Sequence, residues 1–143
     1  MTGEHYSIRG LHPGPPPAHP IEIWLGVGKP RALALTGRVA DGWVPSLSWA
    51  KPDLVPQMMS RIDEAAAAAE RNPSEIRRIF NVSGKIADGA TNGLLNGPPE
   101  LWIGTLRNFA FDLGFDTFVF WPDDEPLVQL QRFAEEVVPA VRG

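Results

Sequence analysis

The sequence predicts an α/β fold of four strand–helix units, a parallel sheet with its helices outside, which makes half of a closed eight-unit barrel or a small open sheet. Three observations carry this. Short apolar runs alternate four times with segments of helical period. Gly- and Pro-rich turns separate them. The 143 residues, 43% hydrophobic, sustain one core, whereas a complete eight-unit barrel takes roughly 250 residues.

Residues 1–20 read as an extended arm, because Pro13, Pro15, Pro16, Pro17 and Pro20 fix φ and withhold backbone donors. Residues 21–143 form the half-barrel. Its first strand, Ile21–Leu25, breaks into the turn Gly26-Val27-Gly28, Pro30 opens a short helix, and Asp41-Gly42 starts a second strand over Gly42–Ser46. Over Asp53–Arg71, the apolar positions Val55, Met58, Met59, Ile62, Ala66 and Ala69 recur at steps of three and four, so a helix lays one face on the sheet. The run Ala65–Ala69 is good helix former and carries no chemistry.

A third strand follows at Arg78–Gly84, then a turn-rich loop from Ala90 to Pro99 containing Asn92-Gly93 and Asn96-Gly97. The helix Glu100–Leu113 starts after Pro98-Pro99 and stops at Gly114, in a left-handed turn. Thr117–Trp121 is apolar on both faces, as buried parallel strands are. The last helix spans Pro126–Val141, and Pro139 ends or kinks it.

Composition excludes several roles. The formal charge of −4 is spread over interspersed signs without a basic stripe, so nucleic acid is not an expected partner. Without cysteine there is no disulfide, thiolate nucleophile or thiolate metal site. His5, His12 and His19, seven residues apart among prolines, build neither a metal pair nor a triad, and no metal site is expected. Neither a signal segment nor a membrane-length apolar run is seen, so a cytoplasmic chain without a membrane partner is expected. The sequon Asn81-Val82-Ser83 is discounted with them.

In a parallel barrel, chemistry sits at the C-terminal ends of the strands. Here those ends are Gly26-Val27-Gly28-Lys29, Ser46-Leu47-Ser48-Trp49, Ser83-Gly84 and Trp121-Pro122-Asp123-Asp124. Lys29 and Arg31 flank a helix start, where cations oppose the helix dipole unless an anion offsets them. The turn therefore admits two readings, a phosphate site or a tight turn with solvated cations. Ser46, Ser48 and Ser83 either bond a ligand or cap turns. Trp49 and Trp121 either stack on a flat ring or pack, whereas Trp24 and Trp43 are assigned to packing. Asp123 and Asp124 either act as acid and base or open the last helix. No catalytic residue is assigned.

The order of these blocks resembles the C-terminal half of the bacterial luciferase-like family of flavin- or deazaflavin-dependent oxidoreductases. The resemblance rests on Gly14–Pro20, Ile21–Pro30, Gly37–Pro45, Arg61–Ala66, Glu70–Arg78, Gly114–Phe118 and Arg132–Pro139. It implies half of a TIM-type (β/α)8 barrel and a cofactor that is FMN or the deazaflavin coenzyme F-420. It further implies hydride transfer or monooxygenation on a small organic substrate, with Gly26, Val27, Gly28 and Lys29 as contacts to the cofactor's phosphate-bearing tail; Ser46, Ser48 and Ser83 are expected as further cofactor contacts, and Trp49 and Trp121 in the substrate pocket, from their strand-end positions. The alternative is a non-catalytic cofactor-binding or structural half-barrel. Because a four-stranded parallel sheet leaves two raw edges, a homodimer, or a separate N-terminal half, is expected to complete the barrel.

Overall fold

The computed structural model describes residues 4, 5, 7, 10, 14–89 and 93–142. Its elements are β1 (Trp24–Leu25), α1 (Pro30–Val39), β2 (Gly42–Trp43), α2 (Val55–Ala68), a 3-10 turn (Pro73–Glu75), β3 (Arg77–Ile86), β4 (Asn96–Gly97), α3 (Pro99–Phe111), β5 (Thr117–Pro122), α4 (Pro126–Arg132), a π turn (Phe133–Val137) and α5 (Val138–Arg142). Every strand pair is parallel. The four predicted strands are present in the order β1-β2-β3-β5, each beside the next in sequence, as sequential elements usually lie.

The differences from expectation have local causes. β1 is shorter than Ile21–Leu25, because the Ile23 amide is taken by the Asp41 carboxylate at 2.8 Å and not by a backbone carbonyl. β2 stops at Trp43 because Pro45 has no amide to donate; pairing resumes as a bridge between Ser46 and Asn81. The predicted loop Ala90–Pro99 contains β4, although Asn92 and Ala90 lie outside the described residues. Lys85 N–H donates to Leu95 O at 3.0 Å, while Gly84 O accepts from Asp123 across the β5 side. The two groups of one trans peptide point oppositely, so β4 runs along the same edge of β3 as β2, further toward the C-terminal end. The last helix is split. Pro139 gives no N–H to Glu135 O and its ring crowds that carbonyl, and the chain answers with a π turn closed by Val138 N–H to Phe133 O.

Strand alternation divides β3 between two environments. Phe80 and Val82 face the helices and are fully buried. Phe80 stacks on Phe115 at 4.2 Å, Phe115 on Trp43 at 6.0 Å, and Phe109 meets Phe80 edge-on. A second cluster of Trp102, Phe120 and Phe133 lies beneath β5. Ile79, Asn81 and Ser83 face the other way, toward the inside of the half-barrel, and grow more exposed toward the C-terminal rim. Trp24 and Ile79 both lie over Gly42 on that inner face. Trp24 is thus packed on one side only, and its Nε1 donates to Glu22 at 2.7 Å.

Helices α1 and α2 approach closely at Gly37, where a Cβ would stand 2.2 Å from Ile62 O and 2.9 Å from Ala66 N. Arg71 seals the end of α1 by donating to Gly37 O and Ala40 O at 2.7 and 2.8 Å. Buried Gln129 bonds both the amide and the carbonyl of Ile86, tying α4 to the end of β3.

Two outcomes follow for stability. Gly37→Ala must push two backbones apart and is expected to cost about 1–3 kcal/mol in urea unfolding. Asp116 is partly desolvated, which raises its pKa, but donors from the Arg78 amide, the Thr117 hydroxyl and Arg77 outweigh this and hold the carboxyl below its usual range. A depressed folded pKa gives stability that is complete above the unfolded value, about 3.9, and fades as pH falls through the folded one. The acid limb of stability below about pH 4 should therefore flatten in Asp116→Asn, as followed by circular dichroism.

Candidate functional site

At the end of β1 the chain turns through Gly26-Val27-Gly28 into α1. Trp43 fixes the turn from below, its buried indole donating to Val27 O at 2.8 Å, while the Val27 side chain packs on the core. A Cβ on Gly28 would stand 2.6 Å from the Trp49 ring, so glycine here lets an indole lie against the backbone. Gly26, Gly28, Lys29, Trp49 and Met58 line a recess of about 410 Å³.

Helix α1 opens at Pro30 without a capping side chain and without an acid in its first turn. The amides of Ala32 and Leu33 both close on Lys29 O. Among the described residues no carboxylate forms an ion pair with Lys29 or Arg31, whereas Arg77, Arg78, Lys85 and Arg132 all have one. The helix start is positive in both dipole and side-chain charge.

A second recess, of about 360 Å³, is lined by Ser46, Leu47, Ser48, Asn81, Val82, Ser83 and Trp121. Asn81 organises it. Its Nδ2 donates to Ser46 Oγ and its Oδ1 accepts from Trp121 Nε1, both at 3.2 Å. Trp121 is 60% exposed, so it stands at the recess and does not plug the core. Sequence reasoning took Asn81 only as part of a sequon; the usable signal was its place two residues before Ser83 on one strand, hence on one face.

The structure thus divides the predicted residues. Gly26, Gly28, Lys29 and Trp49 share the first recess, and Ser46, Ser48, Ser83 and Trp121 the second. The segment between them turns on Ser46 O, which accepts the amides of Trp49 and Ala50. Asp124 pairs with Lys85 at 3.0 Å and also accepts the Glu125 amide. That contact holds the Asp124 carboxyl below, and the Lys85 ammonium above, its ordinary value. Asp123 donates its amide to Gly84 O. The two aspartates therefore tether the β5–α4 junction. Helix α4 itself begins after Glu125, in the left-handed conformation at φ 41°.

His5 and His19 are exposed, and His12 lies outside the described residues. Among the described residues no group of three or more His, Asp or Glu is placed to hold a metal, and no helix is long and apolar enough to cross a membrane.

Comparison with known proteins gives this geometry a context. Residues 1–91 match the family model described as luciferase-like monooxygenase. An F420-dependent glucose-6-phosphate dehydrogenase from Mycolicibacterium gilvum (strain PYR-GCK) is 24% identical over 82 residues, which are 57% of this chain and 24% of that protein. Three solved structures share the fold. A coenzyme F420 dependent tetrahydromethanopterin reductase from Methanopyrus kandleri has a TM-score of 0.68 at 13% identity, covering 83% of this chain and 50% of that one. A riboflavin lyase solved with modified FMN and riboflavin has a TM-score of 0.70 at 14% identity, covering 83% and 42%. A long-chain alkane monooxygenase has a TM-score of 0.71 at 13% identity, covering 99% and 46%. The chain spans half or less of the length of each.

Asn81→Leu should release the Trp121 indole with a stability change within about 1 kcal/mol, since both partners are part-exposed. The expected readout is loss of hydrogen-exchange protection at the Trp121 indole N–H in NMR, with the other four indoles unchanged.

Proposed function

Because the chain belongs to the luciferase-like monooxygenase family, we propose that its rim binds FMN or a deazaflavin coenzyme and serves hydride transfer or monooxygenation of a small organic substrate. The observation that carries this is the turn Gly26–Lys29. Bare backbone, the Lys29 side chain without an ionic partner among the described residues and the positive end of α1 meet at one recess, and Arg31, likewise unpaired, follows two residues on. The residues fit the phosphate-bearing tail that both cofactors share. Lys29 and Arg31 supply charge, the positive end of the helix dipole adds to it, and Trp49 supplies an apolar wall.

The second recess suits the planar ring or the substrate. Ser46, Ser83 and Asn81 offer both donors and acceptors, and Trp121 offers a flat face held by its own hydrogen bond. The cofactor, when bound, supplies the redox chemistry; this chain binds, orients and shields it. Names among the relatives agree on the cofactor type: one is F420-dependent, another was solved with modified FMN. The matching share of this chain with the former favours the deazaflavin by a small margin.

One observation favours the non-catalytic alternative. The lining of the second recess holds no group that titrates near neutral pH, and the rim pair Lys85–Asp124 is satisfied within itself. A reaction that needs a general acid or base would take it from outside this recess.

Titration of the protein with FMN and, in parallel, with the deazaflavin coenzyme tests the reading. Saturable binding of one of them is expected, with Lys29→Glu and Arg31→Glu each weakening it about tenfold and more at low salt. Arg38→Glu, at the far end of the same helix, should leave affinity unchanged. Equal affinity in all three variants would remove the phosphate site from this turn. Binding without turnover across a substrate panel would decide for the carrier.

A further inference from the structure

We propose that a second copy of this chain closes the barrel, β5 of each copy pairing in parallel with β1 of the other, so that the Asn81–Trp121 recess of one copy is walled by the partner's Gly26–Lys29 turn. The inference deepens the reading above and rests on it only for what the recess binds.

The hydrogen bonds specify which groups are free. Asp41 and Gly42 donate to Ile23 O, and Val44 donates to Leu25 O. Ile23 and Leu25 are thus turned toward β2, and by alternation Glu22, Trp24 and Gly26 present their amides and carbonyls to the open edge. On β5, Asp116 N–H donates to Arg78 O, so Phe118 and Phe120 also face β3. Thr117, Val119 and Trp121 present theirs to the other open edge. Each edge offers three residues at two-residue spacing, which is one short parallel ladder.

Symmetry and layering agree. A two-fold axis along the barrel axis keeps every strand's direction, so β5 meets the partner's β1 in parallel, like all other pairs here. The four ranked strands of each copy then sum to the eight of a closed barrel. Trp24 lies on the inner face, so Ile23 and Ile21 point to the helix layer, where they stand 60% and 73% exposed. The matching layer beside β5 holds a groove of about 410 Å³ whose apolar part includes Phe118, Phe133, Val137 and Val141 and whose polar part is Asp116, Thr117 and Arg142. The isoleucines of one copy have the chemistry and the layer to fill the groove of the other.

The occupant is a second copy because this chain carries both halves of the joint, complementary in direction, spacing and layer. Closure sets Trp121, last on the β5 edge, next to Gly26, last on the partner's β1 edge, and the rim becomes a shared site.

Light scattering and native mass spectrometry of the 143-residue protein at micromolar concentration are expected to give twice the 15.6 kDa chain mass. Ile23→Glu, at an exposed side chain, should give monomers with an unchanged far-ultraviolet spectrum. Val119→Pro, which removes an edge amide, should do the same if β5 tolerates it. Because the chain has no cysteine, Lys29→Cys chains mixed with Trp121→Cys chains and treated with a short bis-maleimide should yield a covalent dimer that neither yields alone. A wild-type monomer, a dimer that survives Ile23→Glu at full strength, or no cross-link in the mixture would each overturn the proposal. None of these readouts involves a flavin. An edge-dependent dimer that binds no FMN would refute the cofactor reading and leave the assembly standing.

Discussion

Strand β3 is the ladder from which every other element is hung. Its even-numbered residues give Arg78 O and Gly84 O to the β5 side, and its odd-numbered residues take Pro45 O and Leu95 O and give Asn81 O on the other. Parallel pairing on both edges fixes its height relative to β2, β4 and β5 at once, and the period of two then assigns each side chain to a layer. Phe80 and Val82 build the core, where each aromatic contact adds about 0.5–1.5 kcal/mol beyond burial. Asn81 and Ser83, one peptide away from them, build the recess. Core and site are positioned by the same hydrogen bonds, so a slip of one residue in β3 would exchange a stacked phenylalanine for an asparagine and destroy both.

The fold covers only one side of its sheet. Parallel sheets are ordinarily packed on both faces, yet here the inner face carries half-exposed Asn81 and exposed Ser83 and Trp121 toward the rim, and only its lower part is closed, by Trp24 over Ile79. A polar upper face and an apolar lower one fit a barrel that is filled at the bottom and binds at the top. Among the apolar residues left exposed, Ile21 and Ile23 lead into the β1 edge, and Leu127 and Leu130 lie on α4, the helix that follows β5. The proposed joint would cover these residues together with the two edges.

Much of this architecture was legible because strong local signals and tertiary demand agreed. Pro30, Pro99 and Pro126 open helices as their fixed φ allows, and Gly114 stops α3 with a φ of 77°. What sequence reading missed depended on distant partners. β4 exists because Gly84 leaves room for Leu95 O, 1.9 Å from where a Cβ would sit, and no pattern within Asn96–Gly97 announces that. The ends of β1 and β2 were set by the Asp41 carboxylate and by Pro45. In the site, the glycine turn and the strand-end serines could be read from position alone. Their division into two recesses, and the bridging role of Asn81, required knowing which strands lie side by side.

The distribution of charge separates cations that join elements from cations that stand free. Arg78, buried at the lower end of β3, is tied to Asp63; desolvation lowers its pKa against that pairing, and its Nη1 is left without a partner among the described residues. Arg77 is spent on Asp116, Lys85 on Asp124, and Arg132 on Asp88 and Glu136. Each of these joins two elements. Lys29 and Arg31 join nothing, and they stand where a helix dipole already makes positive charge unfavourable. Two like charges placed against a dipole at a strand's C-terminal end cost stability in the free protein and recover it when an anion arrives. On the reading proposed above that anion is the cofactor's tail, and it would arrive at the end of the barrel where ligands bind.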